Sequence, residues 1–241
     1  MAELEAIKHL KKIDEIRKDK ENSTLKKIKE ISLEIFIIVF AVSLSIKLHE
    51  WSEHKREQEE VKEFLIGLKS DIQRDIKSTK FIITQYEKYG KLYTSLSQLD
   101  RNKPFNQDSL KKQLILVNSN IYLRPNIYRF NGFVSSGKIG NIENDSLSVN
   151  ILNFYQGILS QINSSESGWL TRQKSLRAYL ENTTNPEDLK DNWQALTTPK
   201  GKYLTKNLIP WQEIYDRYNY FIENGEIIIQ QIDKEYNLSK Q

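Results

Sequence analysis

Apolar positions are unevenly distributed along the chain. The densest run, ISLEIFIIVFAVSLSI from Ile31 to Ile46, is followed by Lys47, Leu48, His49, Glu50 and Trp51. At about 1.5 Å per residue, a helix from Ile31 to Trp51 measures roughly 30 Å, the thickness of a bilayer's hydrocarbon core. Its strictly uncharged part, Ile35 to Ile46, is short enough that a buried soluble helix or a signal-peptide core fits it as well. Charged flanks, a lysine at 47 long enough to reach outward and an indole at 51 suited to the water interface favour a span anchored by Lys47 and Trp51. The polar stretch of about thirty residues before the run disfavours a cleaved leader.

Glu34, Ile38, Ala41 and Ser45 share one helical stripe within the run. Ala41 and Ser45 make a small-xxx-small pair that lets two helices approach closely, so the stripe predicts lateral association. A partner helix would bury the Glu34 carboxylate away from lipid. The alternative is an interfacial carboxylate, compensated by the helix N-terminus and by Lys27 or Lys29.

Upstream, Leu4, Ile7, Leu10, Ile13 and Ile16 recur among lysines and acids, which predicts an amphipathic segment over 1–30. It would lie on a membrane surface, pair with copies of itself or fray in solvent. Downstream, Val61, Leu65, Leu68, Ile72, Ile76, Ile82, Tyr86, Tyr89, Tyr93, Leu96 and Leu99 keep helical spacing. They predict a helix over 48–99, about 75 Å long and continuous with the span, which could bend at Gly67 or Gly90. Short helices follow over 108–118 and 126–136.

The turn Gly137-Lys138-Ile139-Gly140-Asn141 is rich in residues that tolerate positive φ, and Asn144 or Asp145 caps a helix from Ser146 to about Glu181. Residues 182–199 read as loop with at most one turn. Pro210 then opens a final helix carrying Trp211, Ile214, Tyr218, Phe221, Ile222, Ile228 and Ile232. Strand alternation is lacking. The expected fold is all-α: one transmembrane helix continuing into a long helix of an antiparallel periplasmic bundle of about four long helices. The domains are 1–30, a cytoplasmic amphipathic segment; 31–51, the transmembrane helix; and 52–241, the extracytoplasmic bundle. Gly137, Gly140 and Asn144 form a structural turn.

Charge adds orientation. Arg17, Lys18, Lys20, Lys26, Lys27 and Lys29 precede the span, against Lys47, Lys55, Arg56 and Lys62 after it. That bias places the N-terminus in the cytoplasm and, in a bacterium, the C-terminal domain in the periplasm, held by the inner membrane. Over the whole chain 36 lysines and arginines meet 32 acids, interspersed, so no nucleic-acid partner is expected. The absence of cysteine excludes a disulfide scaffold, a thiolate metal site and a cysteine nucleophile.

Candidate chemistry is sparse. His49 and His54 stand about 140° apart on a helix, which is not the one-face arrangement of a zinc pair. Ser135-Ser136-Gly137 has no preceding strand, and no histidine follows residue 54, so serine–histidine hydrolysis in the C-terminal domain is excluded. Gly137-Lys138-Ile139-Gly140 lacks phosphate-loop spacing. No cofactor, metal or enzymatic activity is expected. Aromatics such as Tyr128, Phe130, Phe154, Tyr155, Trp169, Trp211 and Tyr218 fill a helical core, or some of them line a groove made anion-friendly by Arg124, Arg129, Lys174 and Arg177. No small-molecule ligand can be identified from them.

Two stretches carry a resemblance. Glu34 to Val39 followed by Trp51 and the charged Glu53-His54-Lys55-Arg56, together with YRFNGFVSSGKIGNIENDSLSVNILNFY from Tyr128 to Tyr155, resemble a family of bacterial inner-membrane proteins known as domain of unknown function 6090. Ser136-Gly137 and Asn144 occupy the turn of the second stretch, Leu147 and Ile151 the helix after it. The resemblance implies a bitopic protein with a helical periplasmic domain. It brings no established activity, so no catalytic residue carries over.

The resulting expectation is a non-enzymatic single-pass membrane protein, an oligomeric or complex-forming interaction subunit of the bacterial envelope. Its partners would be the lipid bilayer and either a second copy or another membrane protein. The alternatives are a periplasmic helical-bundle sensor that signals through a partner and a pore-forming membrane effector.

Overall fold

The computed structural model describes the backbone of residues 2–238 and the side chains of residues 24–26, 28–29, 31–33 and 35–238. The side chain of Glu34 and the amphipathic stripe from Leu4 to Ile16 lie outside the described residues. No strand occurs among the described residues, and the fold is all-α. Contacts divide the chain into two units, Met1–Glu57 and Gln58–Gln241. One helix, α1 (Ala2–Ser97), contributes to both.

In the second unit, the body, α1 buries Val61, Leu65, Leu68, Ile72, Ile76, Thr79, Ile82, Tyr86, Tyr89, Tyr93 and Leu96 at three- and four-residue intervals. A second long run begins with α4 (Asp145–Leu152), passes through a π-helical turn over Asn153–Ile158 and continues as α5 (Leu159–Thr183). Leu159, Ile162, Glu166, Trp169, Gln173, Leu176 and Leu180 face inward from α5 in a strict 3-4 alternation. The third long helix, α8 (Gln212–Tyr236), buries Ile214, Tyr218, Phe221, Gly225, Ile228 and Ile232 in the same alternation.

Paired residues give the directions. Lys69 meets Asp233, Lys80 lies 3.6 Å from Glu226, and Gly90 lies beside Pro210 and Tyr215, so α8 runs antiparallel to α1. Asn150 bonds to Gln231 at 2.9 Å, and Arg217 donates to the Gln161 carbonyl at 2.7 Å, so α8 is antiparallel to the α4–α5 run as well. The α1 and α4–α5 helices are therefore parallel, with Gln58 against Asn141 at one end and Tyr93 against Gln173 at the other. Three long helices form the body where the sequence predicts about four. The reason is the connection: parallel neighbours need a crossover as long as the helices, and residues 98–144 supply it.

That crossover starts with α2 (Gln107–Val117), capped by the Asn106 side chain accepting from the Ser109 N–H at 2.8 Å. Residues 119–127 are not helical, and α3 (Tyr128–Ser135) is shorter at its start than the sequence predicts. A 3-10 turn over Lys138–Asn141 completes the descent. The non-helical stretch alternates sides, with Leu123 buried between exposed Tyr122 and Arg124. A backbone passing between helices without a ladder of its own must find partners elsewhere. It finds them on polar side chains set into the two parallel helices. From α5, Gln173 donates to the Val117 and Ser119 carbonyls at 3.0 and 2.8 Å, and Arg177 donates to the same two at 2.9 and 3.1 Å. Glu166, 4% exposed, accepts the Leu123 N–H at 2.7 Å and the Tyr218 hydroxyl. From α1, Asp75 accepts the Asn126 N–H at 3.0 Å, and Asp71 accepts from Arg129 at 2.9 Å. Gly67, Asp71, Asp75 and Thr79 form an i, i+4 stripe on α1. A side chain at 67 would collide with the Arg129 guanidinium, whose carbon would lie 2.4 Å from the added atom.

Residues 182–199, expected as loop, hold α6 (Leu189–Thr197), and α7 (Pro199–Lys206) follows directly. Both are held by caps and a few buried residues rather than by length. Asp188 accepts from Lys190 N–H at 2.8 Å, Thr198 accepts from Gly201 N–H at 3.0 Å, and Trp193 stacks on Phe105 with centroids 5.0 Å apart.

Burial pushes the carboxyls of Glu166 and Asp75 above the ordinary carboxylate range, against the opposing pull of their hydrogen bonds. The folded state thus holds these protons more tightly than the unfolded chain. Their contribution to stability is full below the ordinary carboxylate range and is lost as pH rises through the folded-state values. Glu166→Gln keeps an acceptor for Leu123 and Tyr218 and is expected to flatten the pH dependence of the full chain's thermal unfolding between the acid range and neutrality. Glu166→Leu strands both donors and should cost at least about 2 kcal/mol by denaturant titration. At Gly225 an added carbon would lie 3.0 Å from Ile72 and 3.1 Å from Ile76. Gly225→Val should therefore destabilise by about 1–3 kcal/mol, whereas Gly132→Ala, whose added methyl meets open space, should stabilise by up to about 1 kcal/mol.

Candidate functional site

In the unit Met1–Glu57, the described apolar side chains of helix α1 are uncovered. Ile35, Phe36, Ile37, Ile38, Val39, Phe40, Val42, Leu44 and Ile46 are all exposed, as is Trp51 at 65%. The helix is long and apolar enough to cross a membrane, with a mean hydropathy of 2.2 over its most apolar window and none of that window buried. Covering one such side chain is worth about 1.5–3 kcal/mol, so the uncovered run amounts to tens of kcal/mol in water. A surface of this kind calls for lipid or protein against it.

On the stripe singled out in the sequence, Ile38, Ala41 and Ser45 are exposed. The Ser45 hydroxyl donates to the Ala41 carbonyl at 2.9 Å, so it needs no second chain to satisfy it. Phe36 and Phe40 stack at 6.2 Å. At the carboxyl edge Lys47 pairs with Glu50 at 2.9 Å, His49 approaches Glu53 at 3.5 Å, and the Lys55 ammonium lies 5.9 Å from the Trp51 ring. His49 and Glu53 form an ordinary i, i+4 surface pair.

In the body, Gly137 alone of the predicted turn has a left-handed backbone, φ 76°, which ends α3. Gly140 lies inside the 3-10 turn without positive φ, a difference from the expected turn chemistry, because the chain tightens there instead of reversing. Asn144 caps α4, its oxygen accepting the Leu147 N–H at 3.1 Å and its amide donating to Glu235 at 2.9 Å. These residues position the lower end of the crossover, where Lys138 pairs with Glu60 at 2.5 Å.

The arginines expected to make a groove anion-friendly are engaged elsewhere. Arg129 is paired with Asp71, Arg177 with the crossover carbonyls, and Arg124 with the Tyr122 hydroxyl. Sequence reasoning did not single out Asp71, Asp75, Glu166 or Gln173, though polar residues interrupting otherwise apolar helical stripes were the available signal. Glu166 and Asp75 accept backbone N–H groups of the crossover and the Gln173 amide donates to its carbonyls, whereas Asp71 is held by the side chains of Arg74 and Arg129. Among the described residues no group of acids and histidines is arranged to hold a metal ion.

Of the concavities in the body, two are lined in part by the first turns of α8 and the segment before it. An open groove of about 800 Å³ is lined by Gly90, Lys91, Thr94, Pro210 and Tyr215. A smaller cavity of about 290 Å³ lies between α5 and the first turns of α8, lined by Ser164, Ser165, Gly168, Arg172, Trp211 and Arg217. In the latter, the Arg172 guanidinium sits 3.8 Å from the centre of the Trp211 ring.

The comparison with curated proteins and the comparison with solved structures both return no match. A family model described as a family of unknown function, DUF6090, matches residues 34–167. The matched region takes in the apolar helix, the crossover and the buried carboxylates Asp71, Asp75 and Glu166, and it stops before α6. On the strength of that match, over more than half of its length, the chain belongs to the DUF6090 family.

Proposed function

We propose that the protein is a non-enzymatic single-pass membrane protein of the bacterial envelope, in which residues 31–51 cross the inner membrane and the C-terminal body serves as an interaction subunit on the periplasmic side. The uncovered apolar helix carries the reading: a surface worth tens of kcal/mol must be covered, and its length matches a bilayer. The excess of lysine and arginine before the span supports an N-terminus in the cytoplasm. Burial of the body's carboxylates against its own backbone supports a binding rather than a catalytic role. The stripe of Glu34, Ile38, Ala41 and Ser45 is the surface through which the helix meets a second copy or another membrane protein, since small residues admit close approach. A second reading, a periplasmic sensor, draws on the cavity between α5 and α8, two helices that a bound molecule would tie together.

The cysteine-free chain makes topology directly measurable, because a single introduced thiol is the only one present. In spheroplasts, a membrane-impermeant maleimide is expected to label Ser109→Cys without permeabilisation and Ala6→Cys only after it. The reverse pattern would invert the proposed orientation, and release of the chain by alkaline carbonate would remove it from the bilayer. Replacing Ala41 and Ser45 together by leucine is expected to shift the detergent-solubilised mass from an oligomer toward the monomer. An unchanged mass would take the association surface off this stripe.

A further inference from the structure

We propose that the cavity between α5 and the first turns of α8 is a binding site for a small monocarboxylate, with Arg172 as the residue that holds its charge. Arg172 is half-buried, its Nε is fully buried without an acceptor, and among the described residues no carboxylate pairs with it; its guanidinium rests on the face of Trp211. A guanidinium has five N–H donors and a planar fork that fits a carboxylate edge, so leaving it partly desolvated and unpaired carries a cost that a carboxylate on its cavity side would offset. Burial lowers its pKa, which is the direction expected of a charge lacking a counter-ion. Neighbouring arginines do not share this condition. Arg129 is paired with Asp71, Arg177 with backbone carbonyls, and Arg217 with Glu213, the Gln161 carbonyl and the Ser165 hydroxyl.

The charge balance selects the class of anion. Arg217 is neutralised by Glu213, so the cavity presents one net positive charge, from Arg172. A single carboxylate matches it, whereas a phosphate dianion leaves excess negative charge beside Glu213. The Ser165 hydroxyl accepts from Arg217 and keeps its own proton to donate, and Ser164 offers a second hydroxyl. Gly168 leaves the floor open, with no heavy atom within 4 Å of where a side chain would start. Trp211 and Ile214 give the ligand's carbon part an apolar wall. At about 290 Å³ the space suits an acid of a few carbons or one ring. The site stands whether or not the chain self-associates.

Thermal unfolding of the detergent-purified full chain, with sodium propionate, sodium benzoate or inorganic phosphate substituted for chloride at constant ionic strength, tests the assignment. One of the two carboxylates is expected to raise Tm saturably at millimolar concentration, and phosphate to do so less. Arg172→Met should raise the ligand-free Tm, because an unpaired charge leaves, and should weaken carboxylate binding by about tenfold or more. Gly168→Leu should abolish the response with Arg172 in place. A saturable shift with neither carboxylate, a shift that survives Arg172→Met, or a stronger response to phosphate would overturn the proposal. So would a fall in ligand-free Tm on Arg172→Met, which would mark Arg172 as packing alone.

Discussion

The body of this protein depends on keeping an unladdered backbone hydrogen-bonded while it passes between two parallel helices. Parallel packing of α1 and α4–α5 forces the chain back along the length of the bundle, and the return stretch is not helical over residues 119–127. Buried peptide groups without partners would each cost about 1–3 kcal/mol, enough in sum to exceed the stability of a domain this size. Glu166, Gln173 and Arg177 from one helix and Asp75 from the other supply those partners. The aromatic cluster of Tyr86, Tyr89, Tyr93, Trp169 and Tyr218 packs around the same level, and the Tyr218 hydroxyl shares the Glu166 oxygen used by Leu123. Polar anchoring and aromatic packing are thereby joined at one atom.

This arrangement explains what could be read in the sequence and what could not. Helical spacing from Val61 to Leu96, the cap at Asn144 and the aliphatic rhythm of α8 are local signals, and each predicts an element that the structure contains. The direction of the long helices is not local. Nothing in the periodicity of α1 or α5 tells parallel from antiparallel, so the short helices expected over 108–118 and 126–136 do not announce a crossover and the sequence predicts an antiparallel bundle instead. Glu166 and Gln173 at inward positions of α5, and Asp71 and Asp75 on a stripe of α1, were visible as polar interruptions. Their meaning required the partner strand of chain, which lies some fifty residues away for Asp75 and Asn126. Helices α6 and α7 are too short for periodicity to register. Their signal was in the caps Asp188 and Thr198.

The apolar helix poses a different constraint. Its composition alone shows that it must be covered, and the all-helical backbone with Phe36, Ile38 and Val39 uncovered says the same in three dimensions. The identity of its neighbour was less legible, because Ser45 satisfies its hydroxyl on Ala41 and does not report a second chain. The family match covers residues 34–167, so the apolar helix and the carboxylate anchors Asp71, Asp75 and Glu166 fall within it, whereas Gln173, Arg177 and most of the cavity that includes Arg172 and Trp211 lie beyond it.

The amides of Leu123 and Asn126 lie outside every helix, yet each is tied to a carboxylate held in the interior. In a protein where irregular segments normally give up their deuterium-labelled positions first, these two protons would persist with those of the surrounding helices, and would be freed only when the long helices themselves part. A stretch of chain that looks like a loop therefore reports on the opening of the whole body.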